Sequence, residues 1–330
     1  MSAFEHERFL QGVIKSLGSG DTKIVDRLSE LQRYIANGTG GFWTFTFSSG
    51  QREKNMRFID NLAQDWQDCF GRFLEQAGGD TSSHDGGLPA YPFPCLRHSQ
   101  FLNVPHPLNI QVIMPTLQAA VMRICCESCA FTPPTPDRPF DKQLADLPGI
   151  DYYALELLVS VLQRTGGPLF NAIRSKGLGY TPSFKQNMWS GMLVFEVYQT
   201  PDASMAILEM QALVSGVGKH WDKYVTEFEI AMAKSEMVCR ATGSECSPYL
   251  QTFYCYVSSI LGFASASQYT VWKNAHISAV ENADLRRAYD LYLKRFVTPG
   301  HPLLTVVLTP PGTEISAELG KFEVKTLDEL

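Results

Sequence analysis

Arg174 and Tyr180 stand close together in the stretch Thr-Gly-Gly-Pro-Leu-Phe-Asn-Ala-Ile-Arg-Ser-Lys-Gly-Leu-Gly-Tyr (165–180), which sets a permanent cation and a phenol around a glycine-rich turn. A guanidinium is charged at every working pH and presents several N–H donors, while a tyrosine hydroxyl donates one more. Such donors suit an oxygen on which negative charge develops during a reaction. One preorganised donor there contributes on the order of 10²–10³ in rate. Gly177 and Gly179 give the backbone the freedom to bend so that both side chains face one cavity. The opposite reading of the same residues is an ion-paired surface arginine and a tyrosine packed at a strand edge.

Other chemistry finds less support. The seven histidines are His6, His84, His98, His106, His220, His276 and His301, and none has a histidine partner three to five residues away. His6 lies between Glu5 and Glu7, but neighbours in sequence do not share a helix face. Cys125, Cys126 and Cys129 contain a single C-x-x-C among eight cysteines. A structural zinc site needs four ligands, usually from two such pairs, so these thiols are expected to behave as small apolar groups in a strand. There is no G-x-S-x-G nucleophile elbow. The sequence therefore predicts no metal site and no hydrolytic centre of its own.

The elements that must hold Arg174 and Tyr180 follow from periodicity. An apolar helix over 152–164, capped by Asp151, runs into Gly166-Gly167-Pro168, and a strand over 192–198 follows the turn. Pro201 and Asp202 open a helix that places Ala203, Ala206, Ile207, Met210 and Val214 on one face. More helical sequence extends to about residue 263. A later helix, with Asn282 as its cap, carries Leu285, Ala288, Tyr289, Tyr292 and Phe296. Strands are expected at 110–114, 119–125, 303–308 and from Phe322. Upstream, helices over 23–36 and along Ile59, Leu62, Trp66, Phe70 and Phe73 flank a strand at 41–47. Gly, Ser, Asp and Pro then dominate. The expected organisation is a helical end of a preceding α+β domain (1–77), a linker (78–107) and an α+β domain (108–330). The fold class is α+β, a mixed or antiparallel sheet with helices packed on one face.

With 45% apolar and 19% charged residues the composition is that of a globular protein. A net charge of −6 and the lack of any Lys/Arg cluster exclude nucleic acid as the main partner. No apolar run reaches the ~20 residues of a membrane span. The N-terminus has neither a secretory pattern nor the Arg-rich character of a transit peptide. With reduced thiols this gives a cytoplasmic expectation, or a mitochondrial one where a targeting segment lies upstream.

The run Gly-Gly-Pro-Leu-Phe-Asn-Ala-Ile-Arg, then Gly-Leu-Gly-Tyr, then Gly-Met-Leu-Val-Phe-Glu-Val-Tyr-Gln-Thr-Pro-Asp (191–202) and the terminal Phe-Glu-Val-Lys come in one order over some two hundred residues. In that order they resemble the C-terminal half of insulinase/pitrilysin-type zinc peptidases, in particular the presequence-protease-like branch. Thr181 departs from that branch, which usually has glycine there. The resemblance implies paired α+β domains that close over short unstructured peptides. It implies zinc held by an inverted H-x-x-E-H motif in an N-terminal half, on the same or a separate chain, and that motif is absent here. Arg174 and Tyr180 are then implied to bind the substrate carbonyl and support the transition state, with Gly177 and Gly179 shaping the substrate loop. Two alternatives are a catalytically inactive, peptidase-like scaffold or core subunit, in which the pair is expendable, and an unrelated α+β binding module.

Overall fold

The computed structural model describes residues 107–326, apart from 136–137, 189 and 244–247, together with isolated helical positions between 12 and 64. The chain divides into two compact units, residues 1–91 with 245–257 and residues 92–244 with 258–330. The strand expected at 41–47, the aromatic stripe from Ile59 to Phe73 and nearly all of the 78–107 segment lie outside the described residues. So does most of the helix expected at 23–36.

The second unit is built on one six-stranded sheet. Its strands are β1 (Leu108–Ile113), β2 (Ala120–Glu127), β3 (Ser183–Asn187), β4 (Met192–Thr200), β5 (Pro302–Thr309) and β6 (Glu323–Thr326), in spatial order β3-β4-β2-β5-β1-β6. β1 runs parallel to β5 and β6, and the other pairings are antiparallel. The sheet is mixed and the fold is α+β. Alternation along β2 sends Met122, Ile124 and Cys126 into the core and leaves Arg123 exposed. On β4 the inward set is Leu193, Phe195 and Val197, all fully buried. Each such side chain contributes about 1.5–3 kcal/mol on leaving water.

Helices of this unit pack on that inner face and on one another. They are α1 (Phe140–Asp146), α2 (Ile150–Gln163), α3 (Ala203–Lys219), α4 (Trp221–Tyr224), α5 (Glu227–Gly243), α7 (Ala266–Ala279) and α8 (Asn282–Leu291), with a 3-10 turn over Leu293–Val297. A further helix, α6 (Pro248–Ile260), falls mostly in the first unit. The expected face of α3 is buried at all five positions, and the Asp202 carboxylate accepts from the Met205 N–H at 2.9 Å, so Asp202 is a true cap. Two expected caps are corrected. Gly149, in the left-handed region, stands at the start of α2, while Asp151 lies inside the first turn and accepts from Arg287 at 2.5 Å. Glu281 caps α8 through a reciprocal box with Asp284, and Asn282 instead accepts from the Trp221 indole at 2.8 Å. In both cases a competing tertiary donor claims the side chain that local pattern would assign to the cap. Phe296 is buried, but in the 3-10 turn beyond α8.

Close approach of α3 and α8 depends on Gly218. A Cβ there would overlap the Tyr289 hydroxyl and come within 2.7 Å of its Cζ, and that hydroxyl donates to the Val214 carbonyl at 3.0 Å. Helix propensity favours alanine over glycine by about 1 kcal/mol. Overpacking costs about 1–3 kcal/mol, and displacing a buried hydrogen bond costs about 1 kcal/mol more. Gly218→Ala is therefore expected to lower stability by about 1–3 kcal/mol in urea denaturation, against the direction of propensity.

Candidate functional site

Arg174 and Tyr180 are brought together. After α2 ends, the chain passes Gly166, Gly167 and Pro168 and forms a π-helical turn over Phe170–Arg174. The Ser175 N–H donates to the Phe170 carbonyl and the Leu178 N–H to the Ile173 carbonyl, both at 3.0 Å and both spanning five residues. Such wide turns are rare and concentrate at functional sites. The Arg174 guanidinium carbon lies 4.6 Å from the centroid of the Tyr180 ring and 5.3 Å from that of Phe170. Among the described residues no carboxylate comes within ion-pair distance of Arg174.

The intervening glycines have separate tasks. Gly177 takes φ +71°, a left-handed conformation that reverses the chain, and its N–H donates to the Arg174 carbonyl at 3.0 Å. Gly179 is seated between β4 and the π turn, and a Cβ there would overlap Val197 Cγ1 and lie 3.4 Å from Ile173 Cγ2. With Gly179 pressed down, the Tyr180 N–H donates to the Tyr198 carbonyl on β4 at 3.1 Å. The Tyr180 side chain remains 58% exposed. A planar cation stacked on a phenol, both open to solvent, forms a paired donor surface. A cation–π contact of this exposed kind contributes about 0.5–1 kcal/mol, enough to bias the arginine rotamer.

A second polar group, which the residue-by-residue reading missed, lies on the open face of the sheet. Glu196 is only 3% exposed, although it points away from the helices. Lys185 on β3 pairs with it, Arg123 Nε on β2 lies 3.3 Å from it, and the Ser183 hydroxyl donates to it. Arg123 also donates to the Tyr198 hydroxyl at 2.8 Å, and that bond is the chief reason its charge is held more firmly than usual. The signal was present as polar residues at every second position, Ser183 and Lys185 on one strand, Glu196 and Tyr198 on the next.

Among the described residues, no group of three or more His, Cys, Asp or Glu side chains converges as a metal site would. His276 is fully buried, with its ring nitrogens 2.8 and 3.1 Å from the Trp272 and Pro148 carbonyls. Desolvation holds it below the ordinary histidine value. Cys125, Cys126 and Cys129 form no disulfide. Burial pushes the Cys126 thiol well up and that of Cys129 to about 11. At pH 8 Cys129 then carries roughly a hundredfold less thiolate than an ordinary cysteine. Brief treatment with iodoacetamide is expected to leave Cys126 and Cys129 unlabelled in native protein and to label both in denaturant, as read by peptide mass spectrometry. No described helix is long and apolar enough to cross a membrane.

No family model and no curated protein sequence matches the chain. Solved structures similar to it include an inactive peptidase domain assigned to a zinc protease of Bordetella parapertussis, at 13% identity over 60% of this chain and 95% of that one, with a TM-score of 0.44. A protease from Helicobacter pylori is 14% identical over 62% of this chain and 45% of its own length, with a TM-score of 0.46. An insulinase family protease assigned in Yersinia pestis is 11% identical over 64% of this chain and 44% of its own length, with a TM-score of 0.42. At no more than 14% identity and a TM-score of 0.46, these likenesses assign neither an activity nor a residue role to this chain.

Proposed function

We propose that this chain serves as the C-terminal half, without zinc ligands, of a zinc metalloendopeptidase of the presequence-protease-like branch that degrades short unstructured peptides. The observation that supports this most is the Arg174 guanidinium stacked over an exposed Tyr180 with no carboxylate partner among the described residues. In this reading both side chains point their donors at the oxygen of the carbonyl under attack and stabilise the charge that forms there. Gly177 and Gly179 fix the turn that presents them. In this reading the metal belongs to an N-terminal half on the same or another chain, and no step here passes through it. The cytoplasm, or the mitochondrion given an upstream targeting segment, is the proposed location.

A second reading is a catalytically inactive scaffold. It is favoured by the contact of Arg174 with Phe170 as well as Tyr180, which a purely structural pair would also make. Turnover of an unstructured peptide by this chain recombined with a zinc-bearing half separates the two. Under the peptidase reading, substitution of Arg174 or Tyr180 abolishes most turnover and leaves assembly intact. Equal turnover by the intact and substituted chains selects the scaffold.

A further inference from the structure

Among the described residues, two that are not glycine take the left-handed backbone conformation, Leu147 at φ +45° and Gln199 at φ +52°. Leu147 has an ordinary reason. It closes α1, and its N–H donates to the Gln143 carbonyl at 3.0 Å, as the residue that ends a helix commonly does. Gln199 lies inside β4 instead. Two residues of β4 separate Val197 from Thr200, while a single residue of β2 separates their partners Met122 and Ala120. β4 therefore carries a bulge, and a left-handed bulge position favours glycine. A side chain with a Cβ is strained there, and strain of this kind gathers at binding sites. Gln199 is nevertheless exposed, and its amide has no hydrogen-bond partner among the described residues. Tyr198, the residue before it, accepts from the Tyr180 N–H at 3.1 Å. The bulge thus sets the Gln199 Cα one residue, about 3.8 Å, from the point where the tyrosine of the stacked pair is fixed.

We infer that Gln199 is a further peptide-binding residue beside Arg174 and Tyr180, holding the main chain of an extended substrate; the inference rests on the peptidase reading for its substrate class. A peptide group offers one N–H donor and one carbonyl acceptor. A guanidinium presents donors alone, so Arg174 serves a carbonyl and leaves the neighbouring N–H of the substrate without an acceptor. A primary amide carries a carbonyl oxygen and an NH₂ group together, and Gln199 supplies the missing acceptor along with a donor. Glycine at this position would relieve the backbone and remove that amide. Because the main chain is the same in every peptide, a grip of this kind suits short unstructured peptides of varied sequence.

The test is fluorescence anisotropy of the full chain with a capped, fluorescein-labelled peptide of mixed Ala, Ser, Leu and Lys composition, and with a scrambled version of it. The intact chain is expected to bind both, saturably and with similar affinity. Gln199→Gly removes the amide and the strain together. It is expected to melt no lower than the intact chain and to bind both peptides about tenfold more weakly, the loss of two neutral hydrogen bonds. Gln199→Glu keeps the length and the acceptor without the donors, and is expected to lose about threefold. Unchanged affinity in Gln199→Gly overturns the inference, as does a lower melting temperature in that variant. So does a loss confined to one of the two peptides, or the absence of saturable binding by the intact chain. Unchanged binding in both variants, alongside turnover that depends on Arg174, removes this role and leaves the peptidase reading standing. Gln199-dependent binding by a chain that supports no turnover does the reverse.

Discussion

A chain carrying Arg174→Ala is expected to turn peptides over about 10²–10³-fold more slowly than the intact chain when recombined with a zinc-bearing half, with assembly unchanged. The side chain is exposed, so its removal leaves no cavity. Its contact with Tyr180 contributes only about 0.5–1 kcal/mol, and the melting temperature should barely move. A donor used only in the transition state lowers kcat and kcat/KM together and leaves KM alone, which distinguishes it from a lost ground-state contact. Arg174→Lys keeps the charge without the planar fork and should fall between the two. Tyr180→Phe keeps the ring under the guanidinium and loses only the hydroxyl. If all three variants match the intact chain, the pair has no part in catalysis.

Gly179→Ala is expected to damage both stability and the site. The added Cβ overlaps Val197 Cγ1, which is fully buried on a strand paired on both sides. Neither partner is a flexible tip, so the strain falls on the backbone, at about 1–3 kcal/mol. The strand cannot yield without disturbing β2, so the turn yields, and the Tyr180 N–H loses the Tyr198 carbonyl. Loss of protection at the Tyr180 amide in hydrogen exchange reports that shift directly. Val197→Ala makes room for the new methyl, and the double variant should recover protection that Gly179→Ala alone lacks. A Gly179→Ala chain with native stability and native exchange at Tyr180 would refute this role for the glycine.

The sequence resolves the parts of this unit whose signals are local. α3 is legible because five apolar positions fall at helical spacing behind a capping aspartate. β4 is legible from its β-branched and aromatic run. β3 escaped notice because Ser-Phe-Lys-Gln-Asn has one apolar residue, Phe184, and depends on its pairing with β4. α7 has almost no amphipathic pattern, since its buried face, Tyr269, Trp272, His276 and Ile277, includes a histidine while the apolar Val271 is exposed. The π turn is invisible to a search at 3.6 residues per turn, because its hydrogen bonds span five residues where those of an α-helix span four. Proximity of Arg174 to Tyr180 was therefore expected from the resemblance and from the glycines, but the stacking itself was not.

The strand order has a consequence for synthesis. β1 and β2 are made early, yet β5, which lies between them, begins at Pro302. Until β5 has left the ribosome, β2 can pair with β4 on one side and lacks its partner on the other. β1 meanwhile has neither neighbour, since β6 is made later still. Pairings this distant close slowly, because the entropy of the long loop is lost before the contacts form. An unpaired strand edge in a growing chain invites a strand from another molecule. The nascent chain passes its most exposed moment just before β5 emerges, and shelter of the β2 edge over that interval favours the folded state.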